Sequence, residues 1–382
     1  MMKNIIDDST LQSRTINFLR FPLMLGVVII HCRFTMRLQP ECAQLINLNG
    51  GGYDLVSWLI SHVIFGLCVP CFFLISGYLF FNNCDFNLYE YKSKLIKRVR
   101  TLLIPFILWN VIYTLCYVIF RLDIFKDSEE IVGLVPWLQQ SSGIIKNLCR
   151  WLYGVFINFN GSSAPIYVPF LYLRDLICMC IISPIVFLYV KYSKFFGLII
   201  CLLVWILTAP YSILPYLPIP IPIRPAVLFF VIGSCFAVHK RNMISDINKI
   251  GSYVWGLYVI MVIVDCFTKG SIHNPYIHSV TIIIGIVVLF KIGYTIVSNG
   301  KDRIKKEWYN KIQNTNFFVY GSHWLLLYVM SFPLSRLITY GSDVSLIIVY
   351  LLQIVLCVFI CTFMGIILNN HFPKFMNVFN GR

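Results

Sequence analysis

The sequence predicts an all-α fold, a polytopic integral membrane bundle of about ten transmembrane helices, forming a single domain over residues 1–382. Three observations predict it. The chain is 58% hydrophobic and only 12% charged, and its mean hydropathy is +0.78. Its apolar residues gather in runs of about 17 to 25, the length that crosses a hydrocarbon core. A water-soluble domain of this size needs far more polar surface.

The runs fall at 16–34, 55–81, 101–120, 165–190, 195–214, 224–239, 252–268, 276–297, 316–333 and 344–368. The first is read as a retained span, because Met1 to Ser13 is polar and the run lacks a small-residue cleavage site. The second passes through Pro70 and the small pair Ser76-Gly77, which lets another backbone approach closely. The third starts in a basic cluster, Lys94, Lys97, Arg98 and Arg100, and meets Pro105. The longest interruption, 121–164, holds Asp123, Asp127, Glu129 and Glu130, then an aromatic stretch from Trp151 to Phe159. It predicts a short interfacial helix roofing a cleft. Lys191 and Lys194 separate the fourth run from the fifth. Pro215, Pro218, Pro220, Pro222 and Pro225 separate the fifth from the sixth, and prolines in this density make a stiff, extended connector. The last four runs are joined by short polar links.

An even number of spans places both termini on one side of the bilayer. With that side inward, nineteen lysines and arginines lie in inner segments and nine in outer ones, leaving Arg20, Arg174 and Lys291 within helices. The positive-inside rule therefore predicts a multi-pass protein of the cell inner (plasma) membrane with both termini cytoplasmic. The same distribution explains the net charge of +15 and argues against a nucleic-acid partner, because the cations do not form one stripe. Most of the fourteen cysteines sit in apolar runs, where cysteine acts as a small hydrophobe. Neither a metal site nor a disulfide network is expected, and one outer-loop pairing, Cys42 with Cys149, is left open. Oligomeric state has no signature in the sequence.

Arg20 and His31 in the first span carry the strongest functional signal. Eleven helical steps of about 100° return to within about 20° of the start, so both side chains leave one face, about 16 Å apart along the axis. An ionisable group kept inside a bilayer usually faces a bundle interior and marks a site. His31 is a candidate general base, since an imidazole titrates near neutrality; the bland alternative is a core histidine bridging two helices. Arg20 suits a phosphate or carbonyl, against a snorkelling interfacial arginine. Arg98 and Arg100 suit phosphates, against plain topology anchors. Arg174 and Asp175 are adjacent and point about 100° apart, so they need not pair with each other. His323 reads either as a second polar group of the cleft or as a helix bridge.

These pieces, in this order, resemble the membrane acyltransferase-3 family. The resemblance rests on arginine, ten residues, then histidine at Arg20 and His31; on Phe-Phe-Leu-Ile-Ser-Gly-Tyr at 72–78; and on the basic run leading to Ile104-Pro105-Phe106. Weaker echoes are Phe170 to Asp175 through Ser183-Pro184, and Phe318 to His323. Many relatives have an aspartate where this chain has Asn17, so Arg20 lacks that ion-pair partner. The resemblance implies an integral membrane O-acyltransferase moving an acetyl group from cytoplasmic acetyl-CoA, the acyl-CoA donor, to a hydroxyl of a lipid-linked or surface glycan acceptor. It implies that His31 and Arg20 are catalytic and that Arg98, Arg100, Arg174, Ser76 and His323 bind substrate. A different class, a transporter or flippase for a lipid-linked glycan, uses intramembrane charges in the same way.

Overall fold

The computed structural model describes residues 8–33, 51–83, 85–120, 143–157, 165–209, 224–299, 307–338 and 342–381. Among them it contains helices and no strand. Arg37, Cys42, most of the 121–164 interruption and prolines 215, 218, 220 and 222 lie outside the described residues, as do both ends of the chain.

The elements run α1 (Asp8–His31), α2 (Gly52–Ser57), a π-helical segment (Trp58–Ile64) and α3 (Cys68–Phe81). Then come α4 (Leu88–Arg98), a second π segment (Val99–Leu103), α5 (Ile104–Phe120) and α6 (Ile144–Phe156). A 3-10 turn (Val168–Phe170) leads into α7 (Leu171–Ile181), α8 (Ser183–Leu207), α9 (Arg224–Val238) and the short α10 (Met243–Asn248). The chain closes with α11 (Tyr253–Phe267), α12 (Asn274–Ser298), α13 (Glu307–Gln313), α14 (Asn316–Ser335), α15 (Asp343–His371) and α16 (Pro373–Phe379). Each of the ten predicted runs coincides at least in part with a helix. Among the described residues, six helical stretches are long and apolar enough to cross a membrane: Asp8–His31, Gly52–Phe81, Leu88–Ile119, Ser183–Leu207, Asn274–Ser298 and Asp343–His371.

Prolines free backbone carbonyls in these helices, and nearby side chains take them up. A proline gives no N–H to the carbonyl four residues earlier. Pro22 lies inside α1, and the carbonyl it leaves, that of Phe18, accepts the Tyr309 hydroxyl at 3.3 Å. The neighbouring Asn17 carbonyl accepts from Gln313 Nε2 at 2.9 Å, so α13 is docked by the irregularity of α1. Pro184 leaves the Cys180 carbonyl, which takes the Ser183 hydroxyl at 2.8 Å, and the predicted span 165–190 divides there into α7 and α8. Pro105 likewise leaves the Thr101 carbonyl, within the π segment that joins α4 to α5.

Within α8 the backbone at Lys194 has φ 50°, ψ −137°, far from helical values. Tyr189 Oη lies 3.2 Å from the Gly197 carbonyl oxygen and 4.0 Å from Cys201 Sγ. Twelve residues of straight helix would hold Tyr189 and Cys201 about 18 Å apart, so the chain doubles back at Lys194, where the sequence places its link between two runs.

The closest helix crossing is between α3 and α9. A Cβ on Gly77 would stand 2.0 Å from the Phe230 carbonyl oxygen, and one on Gly233 would stand 1.9 Å from that of Leu74. Only glycine permits this approach, as in other small-residue membrane crossings. The core mixes aliphatic and aromatic side chains, with Phe73, Phe80, Phe106, Phe170, Phe229 and Phe230 among the buried aromatics. Outward-facing Ile185, Leu203, Val355, Phe359 and Phe363 form the apolar outer surface. Lys291, left unexplained within α12 by the sequence, reaches the Ile250 carbonyl at 2.5 Å and that of Asn248 at 3.2 Å, where it meets the negative end of α10.

Candidate active site

The bundle holds a partly open cavity of about 720 Å³, within the range of small-molecule sites. It is walled by α1, α3, α4, α7 and α14, with the α13–α14 turn and the residues after α16 at one end. Arg20 and His31 both line it, together with Asn17, Met24, Val27 and Ile30 of the same stripe. The pattern read from α1 therefore describes the wall of a real cavity, and its length spans the roughly 16 Å between the two groups.

The ends of the cavity differ in chemistry. At the Arg20 end stand Arg98, Thr101, Gln313, Asn314, Asn316 and Asn380. The guanidinium of Arg98 lies 5.9 Å over the Phe80 ring, which steadies it by a cation–π contact. The middle is aromatic and apolar, made by Phe72, Phe73, Leu79, Tyr172, Leu176 and Tyr320. Here Ser76 lines the cavity, and its hydroxyl and that of Tyr172 hydrogen-bond at 3.0 Å.

At the other end the His31 ring packs edge-on against Trp324, with centroids 5.2 Å apart, and is tilted over His323 at 5.4 Å. His323 is fully buried and does not line the cavity. Its Nδ1 faces two carbonyl oxygens, Tyr320 at 2.8 Å and Val319 at 3.2 Å. Carbonyls only accept, so the proton is assigned to Nδ1 and the lone pair to Nε2.

The basic cluster separates into three roles. Lys94 donates to the Phe80 carbonyl at the end of α3, Arg98 lines the cavity, and Arg100 is exposed outside it. For Arg174 and Asp175 the sequence leaves pairing open, and the structure settles it. They do pair, with Nε and Nη2 of Arg174 at 3.0 and 2.9 Å from Asp175 Oδ1. The long arginine side chain spans the angle between neighbours, and both groups are almost wholly buried, where an unpaired charge is costly. Arg174 stands behind the wall, its Nη1 also donating to the Ile157 carbonyl at 3.4 Å, while Asp175 forms part of the wall itself.

A profile of the acyltransferase domain family matches residues 14–368. The chain belongs to this acyltransferase family. The resemblance carried by Arg20, His31 and the Ser-Gly stretch thus extends over nearly the whole sequence. The acyltransferase domain is also similar to the succinoglycan biosynthesis protein ExoH of Rhizobium meliloti (strain 1021), with 27% identity over 241 residues, 60% of this chain and 55% of that protein. The match therefore spans about half the length of this curated relative. No solved structure matches the chain.

Several polar groups of this acyltransferase domain escaped the sequence reading. Tyr172, Gln313, Asn314 and Asn380 line the cavity but lie in no local pattern with Arg20 or His31. A second cluster joins the ends of α1 and α2 to α11 and α12. Asp54 is bonded by Arg33 at 2.8 Å and by Lys269. Both cations lie over the Trp58 ring. His62 stacks between Trp58 and His278, and His278 Nδ1 meets Asp265 at 2.8 Å. In the sequence Arg33 and Lys269 read only as topology charges. Their shared partner became visible only once the chain had folded.

Proposed function

We propose that this protein is an O-acyltransferase of the plasma membrane that takes an acetyl group from cytoplasmic acetyl-CoA and places it on a hydroxyl of a lipid-linked or surface glycan. One observation carries the reading: a single cavity joins a cationic mouth at Arg20 and Arg98 to an imidazole at His31. The printed role of the relative in succinoglycan biosynthesis supports a glycan acceptor. The positive-inside count, which puts the Arg20 end in the cytoplasm, supports a cytoplasmic donor.

Arg98 and Arg20 hold the donor phosphates through charge-assisted hydrogen bonds. The aromatic waist around Phe72, Tyr172 and Tyr320 takes the uncharged arm and excludes water from the thioester. At the far end His31, as the neutral imidazole, accepts the proton of the attacking hydroxyl. The hydroxyl oxygen then bonds to the carbonyl carbon, the carbon–sulfur bond breaks, and the imidazolium returns its proton to the leaving thiolate. The same neutral ring also suits a relay in which His31 carries the acyl group between donor and acceptor.

The test is transfer by the purified protein. With radiolabelled acetyl-CoA and membranes bearing the glycan, label is expected in the glycan fraction, and surface polysaccharide from cells lacking the protein is expected to lose one acetyl unit of mass per repeat. Retention of all label on coenzyme A, with unchanged polysaccharide mass, contradicts the proposal.

A further inference from the structure

The Asp175 carboxylate presents an unclaimed oxygen to the cavity. The side chain is only 3% exposed, its Oδ1 is held twice by Arg174, and Oδ2 has no hydrogen-bond partner among the described residues while Asp175 forms part of the cavity wall. A carboxylate oxygen that has no protein partner and borders a cavity is open to a donor from a bound ligand. Arg174 holds the carboxylate from behind, fixing Oδ2 as an acceptor site.

Its place along the cavity points to what it receives. α7 starts beside Pro169, whose carbonyl takes the Tyr320 hydroxyl. It ends at Ile181, whose carbonyl takes the Tyr91 hydroxyl of α4 at 2.7 Å, towards the Arg98 end. Asp175 lies between these limits, about 6 Å along the axis from Leu171 and about 9 Å from Ile181. Tyr172 and Leu176, on either side of it along α7, both line the waist, so from the mouth inward the order is guanidinium groups, an aromatic waist that holds the carboxylate, then His31. A ligand that matches is an acyl donor with a phosphate head, an N–H- or O–H-bearing linker and an acyl terminus.

We infer that Asp175 is a specificity-determining residue for the donor, accepting a hydrogen bond from an N–H or O–H of the linker between its phosphates and its acyl group, with Arg174 as its positioning residue. This rests on the donor reading above and adds a site to it. The inference makes the linker part of what is recognised.

The test compares acetyl-CoA with an analogue in which the linker amide N–H groups are replaced by ester oxygens, using the purified full-length protein and water or glycan as acceptor. Wild type is expected to favour acetyl-CoA in kcat/KM by about tenfold or more, since the analogue leaves the carboxylate without its donor. In Asp175→Asn, and in Arg174→Met/Asp175→Leu, which removes both charges together and so spares the fold, the preference is expected to shrink towards unity. A purely structural Asp175 would lower both rates and leave their ratio unchanged. Equal use of the two donors by wild type overturns the inference, as does an unchanged ratio in the double variant. So does an effect confined to the KM of the glycan, which would assign Oδ2 to the acceptor. Failure of wild type to use any acyl-CoA defeats the donor reading itself and is thus distinguishable.

Discussion

Arg98 and Arg100 are two residues apart, and only one of them reaches the cavity. Two helical steps turn a side chain by about 200°, so the pair points to opposite sides of α4 and its π extension. Periodicity thus held the information to separate them, but nothing in the sequence said which side faced the cavity. Arg98→Ala is expected to weaken acetyl-CoA binding by about tenfold or more, and Arg100→Ala to leave it unchanged, as read by equilibrium titration. Arg174 and Asp175 teach the opposite lesson. Their divergent directions left pairing open, and burial of both groups decides for it. Arg174→Met alone strands the Asp175 carboxylate and is expected to cost about 3–5 kcal/mol, seen as a lower unfolding midpoint in detergent. The double variant with Asp175→Leu is expected to recover most of the loss.

Helices were legible from hydropathy, and prolines from their known chemistry. What the sequence left open was the partner at each break. That Tyr309 takes the Phe18 carbonyl freed by Pro22 joins residues nearly three hundred positions apart, and no local pattern encodes it. The small pair in α3 is a clearer case, since the reading left both packing and function standing. The structure assigns packing to Gly77 and the cavity to Ser76. Gly77→Ala is expected to push α3 from α9 and to destabilise by about 1–3 kcal/mol, measured by thermal unfolding. At α10, Asp246 accepts from Arg241 at 2.7 Å and Lys249 at 2.9 Å. The hydrogen bond from Arg241 is the main cause holding its carboxyl below the usual range, with Lys249 adding to it. A depressed carboxyl stabilises the fold above its unfolded pKa, near 3.9, and that contribution disappears as pH falls through the folded value. Wild type is therefore expected to lose stability on acidification below about pH 4 more steeply than Asp246→Asn.

At the scale of the whole molecule, a single helical stripe foretold one wall of the cavity and nothing of the others. Five helices and two turns from distant parts of the chain close around it, and their meeting depends on packing that single-sequence periodicity does not carry. The account therefore stands on a division of labour within one cavity, a binding end and a reacting end. The direct test is to measure acetyl-CoA affinity and single-turnover transfer side by side in wild type, Arg98→Ala and His31→Ala, each checked for folding. Arg98→Ala is predicted to lose affinity. His31→Ala is predicted to bind as wild type does yet to transfer about 10²- to 10⁴-fold more slowly. Wild-type transfer by a folded His31→Ala protein would contradict the account.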